Sequence, residues 1–217
     1  IALYPEARYS LCGTNAILPQ SLAKLVKHLH VPVATFLTKG HHINSPFWNL
    51  EKRGNRTEAD LKLIMTKDDV EKMSVEEINE IITKEFVYDD FKWQYDNKVS
   101  VKYKNRAKGL HKVLYHCPNC NTEYMMNSEG TQIFCTNCNK RWQMTEYGRL
   151  EALDGKTEFS HIPDWYEWER SQVRKQIDEG TYSFDKEVHI DSLPNAKGYI
   201  PLGELSLIHI SEPTRPY

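Results

Sequence analysis

The most informative stretch of this chain is CPNCNTEYMMNSEGTQIFCTNC at 117–138. It holds two C-x-x-C pairs, Cys117 with Cys120 and Cys135 with Cys138, and fourteen residues separate the pairs. Each pair is typical of a tight turn that directs two thiolates at one centre, and four thiolates form the tetrahedral set that Zn²⁺ prefers. The spacing therefore predicts a zinc ribbon whose metal is structural, because four sulfur ligands leave no position for a catalytic water.

A disulfide framework and a dithiol redox site are the alternatives for these cysteines. Disulfides are typical of secreted chains, and the first residues show no basic start followed by an apolar run and a cleavage site. A redox site would need only one of the two pairs. His116 is expected to be a neighbour of the metal rather than a ligand, and Cys12 is expected to be a buried thiol.

A basic run precedes the ribbon and contains no acidic residue: Lys98, Lys102, Lys104, Arg106, Lys108 and Lys112. With Tyr103 inside it, the run fits the phosphates of a nucleic acid or of lipid headgroups. A solvated face or a linker leading into the ribbon is the alternative. The whole chain carries a formal net charge of −2, with a sequence pI near 6.5. This balance excludes a general attraction to nucleic acid, so a nucleic-acid partner is not favoured.

The segments on either side of the ribbon alternate between helical and strand patterns. Helices are predicted at 19–30, 74–86, 89–95 and 163–180, and strands at 1–5, 31–37 and 61–66. The β-branched run at 31–37 is typical of a buried parallel strand, so residues 1–37 are expected to form a right-handed strand–helix–strand crossover. Ser74 and Glu77 match a capping box at a helix start. The Trp-rich face of the last helix is expected to pack within the protein rather than to lie at a bilayer.

Composition limits the classes of protein further. The chain has 217 residues, of which 40% are hydrophobic and 27% are charged, and this is typical of a soluble protein with one large domain or two small ones. No apolar run approaches the roughly 20 residues that a membrane-spanning helix needs. Contact with a membrane is therefore expected only from its surface.

The first residue and the last stretch of the sequence each lead to a prediction. Ile1 begins inside a predicted strand, so an upstream segment is expected to be missing. The last stretch, LSLIHISEPTRPY at 205–217, matches the translation of a common transposase-type sequencing adapter over its first eleven residues. We therefore expect this tail to be adapter-derived, and it is left out of the predicted fold.

A further motif follows the first predicted strand, YPEARYS at 4–10, and leads through an amphipathic helix to Val31-Pro32-Val33. This order resembles the third and fourth sequence blocks of the glycerolipid acyltransferases, the 1-acylglycerol-3-phosphate acyltransferase family. The third block reads P-E-G-T-R-S after an aromatic or aliphatic residue. Pro5, Glu6 and Ser10 match it, whereas Ala7, Arg8 and Tyr9 stand in place of Gly, Thr and Arg. The resemblance covers about residues 1–95, and the ribbon is similar to one appended in bacterial members.

The resemblance implies an α/β fold: a truncated acyltransferase-type α/β domain, a small β zinc ribbon and a C-terminal helix-plus-strand extension. The expected boundaries are 1–110 for the acyltransferase-like portion, 111–150 for the ribbon and 151–204 for the extension, with the tail at 205–217.

The resemblance also implies a mechanism. In the family, a His oriented by an Asp in an H-x-x-x-x-D block removes a proton from a glycerol hydroxyl, which then attacks an activated acyl group. No His of this chain is followed by Asp at that spacing, so the catalytic pair is expected upstream of residue 1 and this fragment alone is expected to be inactive. Glu6, Arg8 and Ser10 are implied to bind the substrate phosphate, with the Arg8 guanidinium in contact with its oxygens. His41 and His42 follow this block and are expected to be loop residues near the cleft.

The implied partners are an acyl donor and a lysophospholipid of the lysophosphatidate type. The donor is acyl-CoA, an acyl-carrier protein or an acyl phosphate, and the family resemblance implies a cytoplasmic protein that is peripheral at the inner membrane surface. The alternative is a zinc-ribbon module without catalysis that binds nucleic acid through the basic run or another protein through the Trp-rich helix.

Overall fold

The computed structural model describes residues 1–6, 9–192 and 199–208. The chain divides into two compact units, Ile1–Asp164 and Trp165–Tyr217. Helices and small antiparallel sheets make up the described elements, which confirms the coarse prediction of a mixed α and β protein.

The first part of the Ile1–Asp164 unit is helical apart from one pair of strands. Its elements are α1 (Ser21–Leu29), β1 (Val33–Lys39), α2 (His41–Asn44), β2 (Glu58–Met65), α3 (Lys67–Lys72), α4 (Val75–Glu85) and α5 (Asp90–Asp96). The helices predicted at 19–30, 74–86 and 89–95 are confirmed, as are the strands at 31–37 and 61–66, with ends that shift by a few residues.

The predicted parallel crossover is wrong. β1 pairs with β2, and the two strands run antiparallel, because the segment 40–57 returns the chain to the same end of the sheet. Within the described residues 1–6 no strand forms, and the side chains of Ile1 and Tyr4 are exposed. β1 is not a buried central strand either, since Thr35 alone among its residues is buried.

A small apolar core holds α1 against α3 and α4. Ala23 and Val26 of α1 meet Val70 of α3 and Ile78 of α4 in one buried cluster. The Lys27 ammonium donates to three carbonyl groups at the end of α3, where the helix dipole favours a cation. The amphipathic pattern of α1 is therefore explained by contacts within this chain.

Capping boxes set the starts of α3 and α4. The Glu77 backbone N–H donates to Ser74 Oγ at 3.1 Å, and the Ser74 N–H donates to the Glu77 carboxylate at 2.7 Å, which confirms the predicted box. Thr66 and Asp69 make the same reciprocal pair at α3. Sequence reasoning missed this second box because Asp, not Glu or Gln, holds its third position.

The ribbon forms a four-stranded antiparallel sheet. Its strands are β3 (Met126–Glu129), β4 (Gln132–Cys135), β5 (Arg141–Met144) and β6 (Leu150–Ala152), in that spatial order. Ile133, Trp142 and Leu150 are fully buried, and the Trp142 indole N–H donates to Glu158 Oε2 at 3.0 Å. The buried apolar side chains of this sheet are Met126, Ile133, Cys135, Trp142, Met144 and Leu150.

Helix α5 fastens the ribbon to the helical part of the same unit. The buried Gln94 side-chain amide donates to the carbonyl groups of Val99 at 3.1 Å and Glu146 at 3.0 Å. Val101 N–H also donates to the Glu146 carbonyl at 2.8 Å. These bonds hold the turn between β5 and β6 against the chain that leaves α5.

The helix predicted at 163–180 is confirmed as α6 (Ile162–Asp178), and β7 (Asp185–Ser192) and β8 (Ile200–Ile208) follow as an antiparallel pair. Ile162 and Trp165 are fully buried, as expected for packing, whereas Ile177 on the same predicted face is 58% exposed. None of the helices in the described ranges is long and apolar enough to cross a membrane. β8 includes 205–208, the start of the expected tail, and the remaining residues 209–217 lie outside the described residues.

Candidate metal centre and Glu6 loop

The two cysteine turns share one backbone structure. The Asn121 N–H donates to the Cys117 carbonyl and the Asn139 N–H donates to the Cys135 carbonyl, both at 2.9 Å. Asn121 and Asn139 adopt left-handed backbone angles, with φ of 57° and 63°. Asn tolerates this region better than most residues, so an Asn after each C-x-x-C pair favours the tight turn.

The four sulfur atoms converge on one point. Cys117 Sγ lies 3.8 Å from Cys138 Sγ, and Cys120 Sγ lies 3.7 Å from Cys135 Sγ. All four sulfur atoms lie within 4.8 Å of one another. A tetrahedral metal with sulfur ligands at about 2.3 Å requires sulfur–sulfur edges of about 3.8 Å, whereas a disulfide requires about 2.05 Å. The four predicted ligands are therefore positioned to hold a metal ion.

The surroundings of three of the four thiols shift their pKa values in different directions. Burial raises the pKa of the Cys117 and Cys135 thiols. Burial also opposes ionisation of Cys120, but its hydrogen bonds with Thr122 and Asn137 lower its pKa to about 6. A cation held by these four sulfur atoms would favour the thiolate form of each and would offset the cost of burying them.

Each turn also supports the sulfur atoms of the other. Asn119, in the first C-x-N-C, donates through Nδ2 to Cys138 Sγ at 3.4 Å. Asn137, in the second, donates through Nδ2 to Cys120 Sγ at 3.6 Å. The repeated C-x-N-C pattern is visible in the sequence, but its role in joining the two turns follows only from the folded geometry.

The neighbouring His and the fifth Cys stay outside the cluster. His116 Nε2 lies 3.0 Å from Asn121 Oδ1, and its Nδ1 lies 3.7 Å from the Glu123 carboxylate. Cys12 is 3% exposed, and its Sγ lies 3.3 Å from Thr14 Oγ1, which confirms the expected buried thiol. Neither residue belongs to the group of potential ligands found in the described part of the chain.

The YPEARYS motif leads into a loop that closes around Glu6. Ala16 N–H donates to Glu6 Oε1 at 2.6 Å, and the Tyr88 hydroxyl donates to Glu6 Oε2 at 3.3 Å. Burial, followed by the Glu6 charge, raises the pKa of Tyr88, so this hydroxyl stays protonated as a donor. The Glu6 carboxylate thus joins the start of the loop to its end and to the segment before α5.

Ser10 organises the centre of the same loop. Its Oγ donates to the Thr14 carbonyl at 2.7 Å and accepts the Gly13 N–H at 2.9 Å. Asp90 N–H donates to the Gly13 carbonyl at 2.8 Å, which ties the loop to α5. Arg8, the third predicted phosphate ligand, lies outside the described residues.

His41 and His42 differ in their surroundings. His41 is exposed at the start of α2. The His42 ring packs edge-on against Phe91, with centroids 5.7 Å apart, and burial followed by the Arg53 charge lowers its pKa to about 3. His42 is therefore neutral at physiological pH and forms part of the packing between α2 and α5.

A cleft of about 410 Å³ adjoins the Glu6 loop through Tyr88. Its walls come from one face of β1 and β2 and from the region of α5: Leu37, Lys39, Asp60, Lys62, Glu85, Val87, Tyr88, Asp89, Asp90 and Trp93. Lys39 pairs with Asp60 at 2.5 Å and Lys62 with Glu85 at 2.7 Å, so two ion pairs line this side of the sheet. Tyr88 connects the Glu6 loop to the cleft, and it could not be singled out from the sequence because no local motif surrounds it.

His161 and Asp89 form a close pair, with Nε2 and Oδ2 at 2.7 Å. Burial opposes ionisation of Asp89, but the hydrogen bond from His161 holds the pKa of that carboxyl below its usual value. The Asp89 carboxylate also accepts the Lys92 N–H at the start of α5. The pair lies 72 residues apart in sequence, so no spacing rule could have found it.

Contacts within the protein occupy several members of the basic run. Lys98 lies over the Tyr95 ring at 4.2 Å, Arg106 donates to the Met144 carbonyl at 2.7 Å, and Lys108 pairs with Glu51 at 3.2 Å. These contacts favour a structural role for the run, as the segment that connects α5 to the ribbon.

No family model, curated protein or solved structure matches the chain.

Proposed function

We propose that this chain is part of a glycerolipid acyltransferase, in which the loop after Glu6 contributes to the phosphate site and the four cysteines hold a structural Zn²⁺ ion. In this proposal the full protein transfers an acyl group to a lysophosphatidate-type acceptor. The donor is an acyl-CoA, an acyl-carrier protein or an acyl phosphate. The general base and its orienting Asp belong to an upstream segment, because no H-x-x-x-x-D spacing occurs in this chain.

The observation that carries the proposal is the position of the Glu6 carboxylate. Its two oxygens accept from Ala16 N–H and from the Tyr88 hydroxyl, so the P-E-x-x-x-S motif starts a closed loop. A partly buried carboxylate at this position needs donors from distant parts of the chain, and Ala16 and Tyr88 supply them. Fixing Glu6 and residues 10–16 in this way reduces the conformational freedom that phosphate binding would otherwise have to remove.

Each residue of the motif has a separate role in the proposal. Glu6 orders the loop, and Ser10 holds its turn through the Gly13 N–H and the Thr14 carbonyl. Arg8 supplies the guanidinium that contacts the substrate phosphate, since planar Arg suits two parallel bonds to phosphate oxygens. A lipid acceptor implies that the full protein works at the membrane surface, so we expect peripheral association at the cytoplasmic face of the inner membrane.

Substitutions in the complete protein test this assignment. Arg8→Ala should lower kcat/KM for lysophosphatidate on the order of 100-fold, because a charge-assisted phosphate contact is lost. Glu6→Ala should act in the same direction by releasing the loop. A monoacylglycerol acceptor, which lacks the phosphate, should lose much less activity with Arg8→Ala. The control is Glu71→Ala on α3, whose carboxylate is exposed and lies 3.7 Å from Lys67.

Two outcomes would contradict the assignment. One is an Arg8→Ala protein that keeps its activity toward lysophosphatidate while its circular dichroism is unchanged. The other is acyl transfer by the present chain alone, since the proposal places the base outside it. Extending the coding sequence upstream should also reveal an in-frame H-x-x-x-x-D block several tens of residues before Glu6.

The zinc assignment is supported by the identity and spacing of the ligands. Two of the sulfur–sulfur separations are 3.7 and 3.8 Å, and all four sulfur atoms lie within 4.8 Å of one another, which fits a tetrahedral site. Thiolates are typical zinc ligands. The site is closed by its four cysteines, so the metal would contribute to folding rather than to the acyl transfer itself.

The two asparagines that join the cysteine turns should strengthen zinc binding. Asn119→Ala combined with Asn137→Ala removes both side-chain N–H donors to sulfur, and we expect zinc affinity to fall on the order of tenfold or more. Competition with a chromogenic chelator would measure the affinity and the release rate. Asn97→Ala is the control, because its amide donates to the Trp93 carbonyl at the end of α5 and the residue lies outside the cysteine cluster. Equal zinc release from the double variant and this control would contradict the role.

A further inference from the structure

Two segments that are far apart in sequence lie together in the Ile1–Asp164 unit and are rich in basic residues. The segments 48–56 and 103–112 carry seven Lys and Arg residues in total and one acidic residue, Glu51. The Asn49 side-chain amide donates to the Asn105 carbonyl at 3.1 Å and so joins the two segments. The fold therefore places the segment that contains Lys52, Arg53 and Arg56 against the basic run.

The guanidinium groups of Arg53 and Arg106 are held by backbone carbonyl groups. Arg53 donates through Nη1 to the Ile43 carbonyl at 3.3 Å and through Nη2 to the Arg106 carbonyl at 2.9 Å. Arg106 donates through Nε to the Met144 carbonyl at 2.7 Å and through Nη1 to the Tyr103 carbonyl at 3.3 Å. Within the described ranges, neither arginine forms an ion pair with a carboxylate.

Carbonyl groups orient a guanidinium but leave its full charge uncompensated. Arg53 and Arg106 are both half-buried, and the Arg53 Nε–H is buried with no acceptor among the described residues. Burial, followed by the charge of Arg106, lowers the pKa of Arg53 to about 10, and burial also lowers the pKa of Arg106. Both stay protonated at physiological pH, so two like charges lie close together, partly removed from water, without a counter-charge.

The two carboxylates that act on this pair of arginines have other partners. Glu51 opposes the lowering of the Arg53 pKa by burial, and Glu146 does so for Arg106. Glu51 pairs with Lys108 at 3.2 Å, and the Glu146 carboxylate accepts the Ser100 hydroxyl at 2.6 Å. Neither carboxylate therefore serves as the direct counter-charge of a guanidinium.

We propose that Arg53 and Arg106 form a binding site for a phosphate monoester group, here termed the arginine site. A guanidinium has five N–H donors, and each of these two uses a pair of them on carbonyl groups, so donors remain for phosphate oxygens. The phosphate comes from a free phosphomonoester or from a lipid headgroup. Neither arginine belongs to the YPEARYS motif, so the site does not depend on the proposed function.

The charges around the arginine site favour a single phosphate group over a carboxylate or a nucleic acid. A phosphate monoester carries close to two negative charges at neutral pH, which matches two guanidinium groups, whereas a carboxylate carries one. The exposed Lys52 and Lys104 add to the positive potential. A nucleic acid needs a longer track of free cations, but Arg56 is paired with Glu58 and Lys108 with Glu51.

Titration of the full chain with inorganic phosphate tests the arginine site. Arg53→Gln and Arg106→Gln each remove one charge and keep a side-chain amide that can donate to a carbonyl. Either change should weaken phosphate binding at least about tenfold in isothermal titration calorimetry, because charge-assisted bonds are lost. Arg56→Gln is the matched control and should leave the affinity unchanged. The Arg56 guanidinium also lies over a Trp ring, that of Trp93 at 5.5 Å, but it already pairs with Glu58 at 2.9 Å.

Two further ligands distinguish the sources of the phosphate. Binding of glycerol 3-phosphate that Arg106→Gln weakens assigns a free phosphomonoester. Binding to phosphatidylcholine vesicles that requires added phosphatidic acid, and that Arg106→Gln weakens, assigns a lipid headgroup. Each result supports the arginine site, because both depend on the same guanidinium groups.

Three results would overturn the proposal. They are no binding of millimolar phosphate by the unmodified chain, equal affinity of Arg106→Gln and Arg56→Gln, and tighter binding of an oligonucleotide that depends on Lys52 and Lys104 instead of the arginines. If both Arg→Gln variants fail to fold, the Arg side-chain N–H signals of the unmodified chain are followed by NMR during the titration. A shift of the Arg53 and Arg106 signals supports the site, and unchanged signals reject it.

Discussion

Removal of the proposed zinc ion should unfold the ribbon. The metal contributes on the order of 10 kcal/mol in small zinc-dependent modules, and the ribbon sheet has only a few buried side chains to replace it. After chelation we expect peptides from β3 to β6 to exchange their amide hydrogens within seconds, whereas peptides from the core of α1 and α4 should exchange more slowly. Hydrogen exchange with mass spectrometry would measure this, together with the zinc content per chain.

Cysteine substitutions provide the matched comparison. Cys135→Ser removes one of the four ligands and should reproduce the effect of chelation. Cys12→Ser changes a thiol that is also buried but lies outside the cluster, so this variant should keep its zinc. Unchanged exchange in β3–β6 after complete loss of zinc would show that the metal does not stabilise the ribbon. Loss of zinc from Cys12→Ser would show that the cluster is not the binding site.

Gly109→Ala should destabilise the protein by about 3 kcal/mol or more, through a steric collision and an unfavourable backbone angle. Gly109 has φ of 88°, and a Cβ atom there would lie 2.3 Å from the Trp48 carbonyl oxygen. Trp48 is buried, and its ring packs under Arg53 at 5.2 Å, so its backbone has little room to move. The Gly109 N–H also donates to the buried Ser128 hydroxyl at 2.8 Å, and a shift of this segment would weaken that bond.

Gly155→Ala separates the two causes. Gly155 has φ of 63°, and a Cβ atom there would meet nothing within 4 Å, so this variant has only the backbone cost of about 1 kcal/mol. Urea unfolding of both variants would measure the difference. Midpoints that agree within error would contradict the proposed collision between residue 109 and Trp48.

The cysteine spacing was sufficient to identify the four residues that are positioned to hold a metal ion, and the Ser74 box was sufficient to place the start of α4. Both depend on residues close in sequence, so local geometry determines them. The joining role of Asn119 and Asn137 could not be predicted, because each contacts a sulfur in the other turn. The pairs of Glu6 with Tyr88 and of Asp89 with His161 escaped prediction for the same reason, since each joins distant segments.

The strand at 31–37 shows where sequence patterns mislead. Its β-branched apolar residues resemble a buried parallel strand, yet β1 pairs antiparallel with β2 and leaves Phe36 exposed. Apolar residues on both faces of a strand indicate that burial of each face is favourable. They do not identify which other element covers either face. Whether β1 and β2 pair parallel or antiparallel depends on the end of β1 at which β2 begins, and the path of residues 40–57 determines this.

The sequence by itself determined the four potential metal ligands, the start of α4 and the mixed α and β composition, because these follow from residue spacing and capping within a few positions. Only the tertiary structure decided the antiparallel pairing of β1, the hydrogen bonds that Ala16 and Tyr88 donate to Glu6 and the exposure of Phe36 and Leu61. These features arise from contacts between distant segments, where the stability gained by packing and by satisfying a buried charge exceeds local preference.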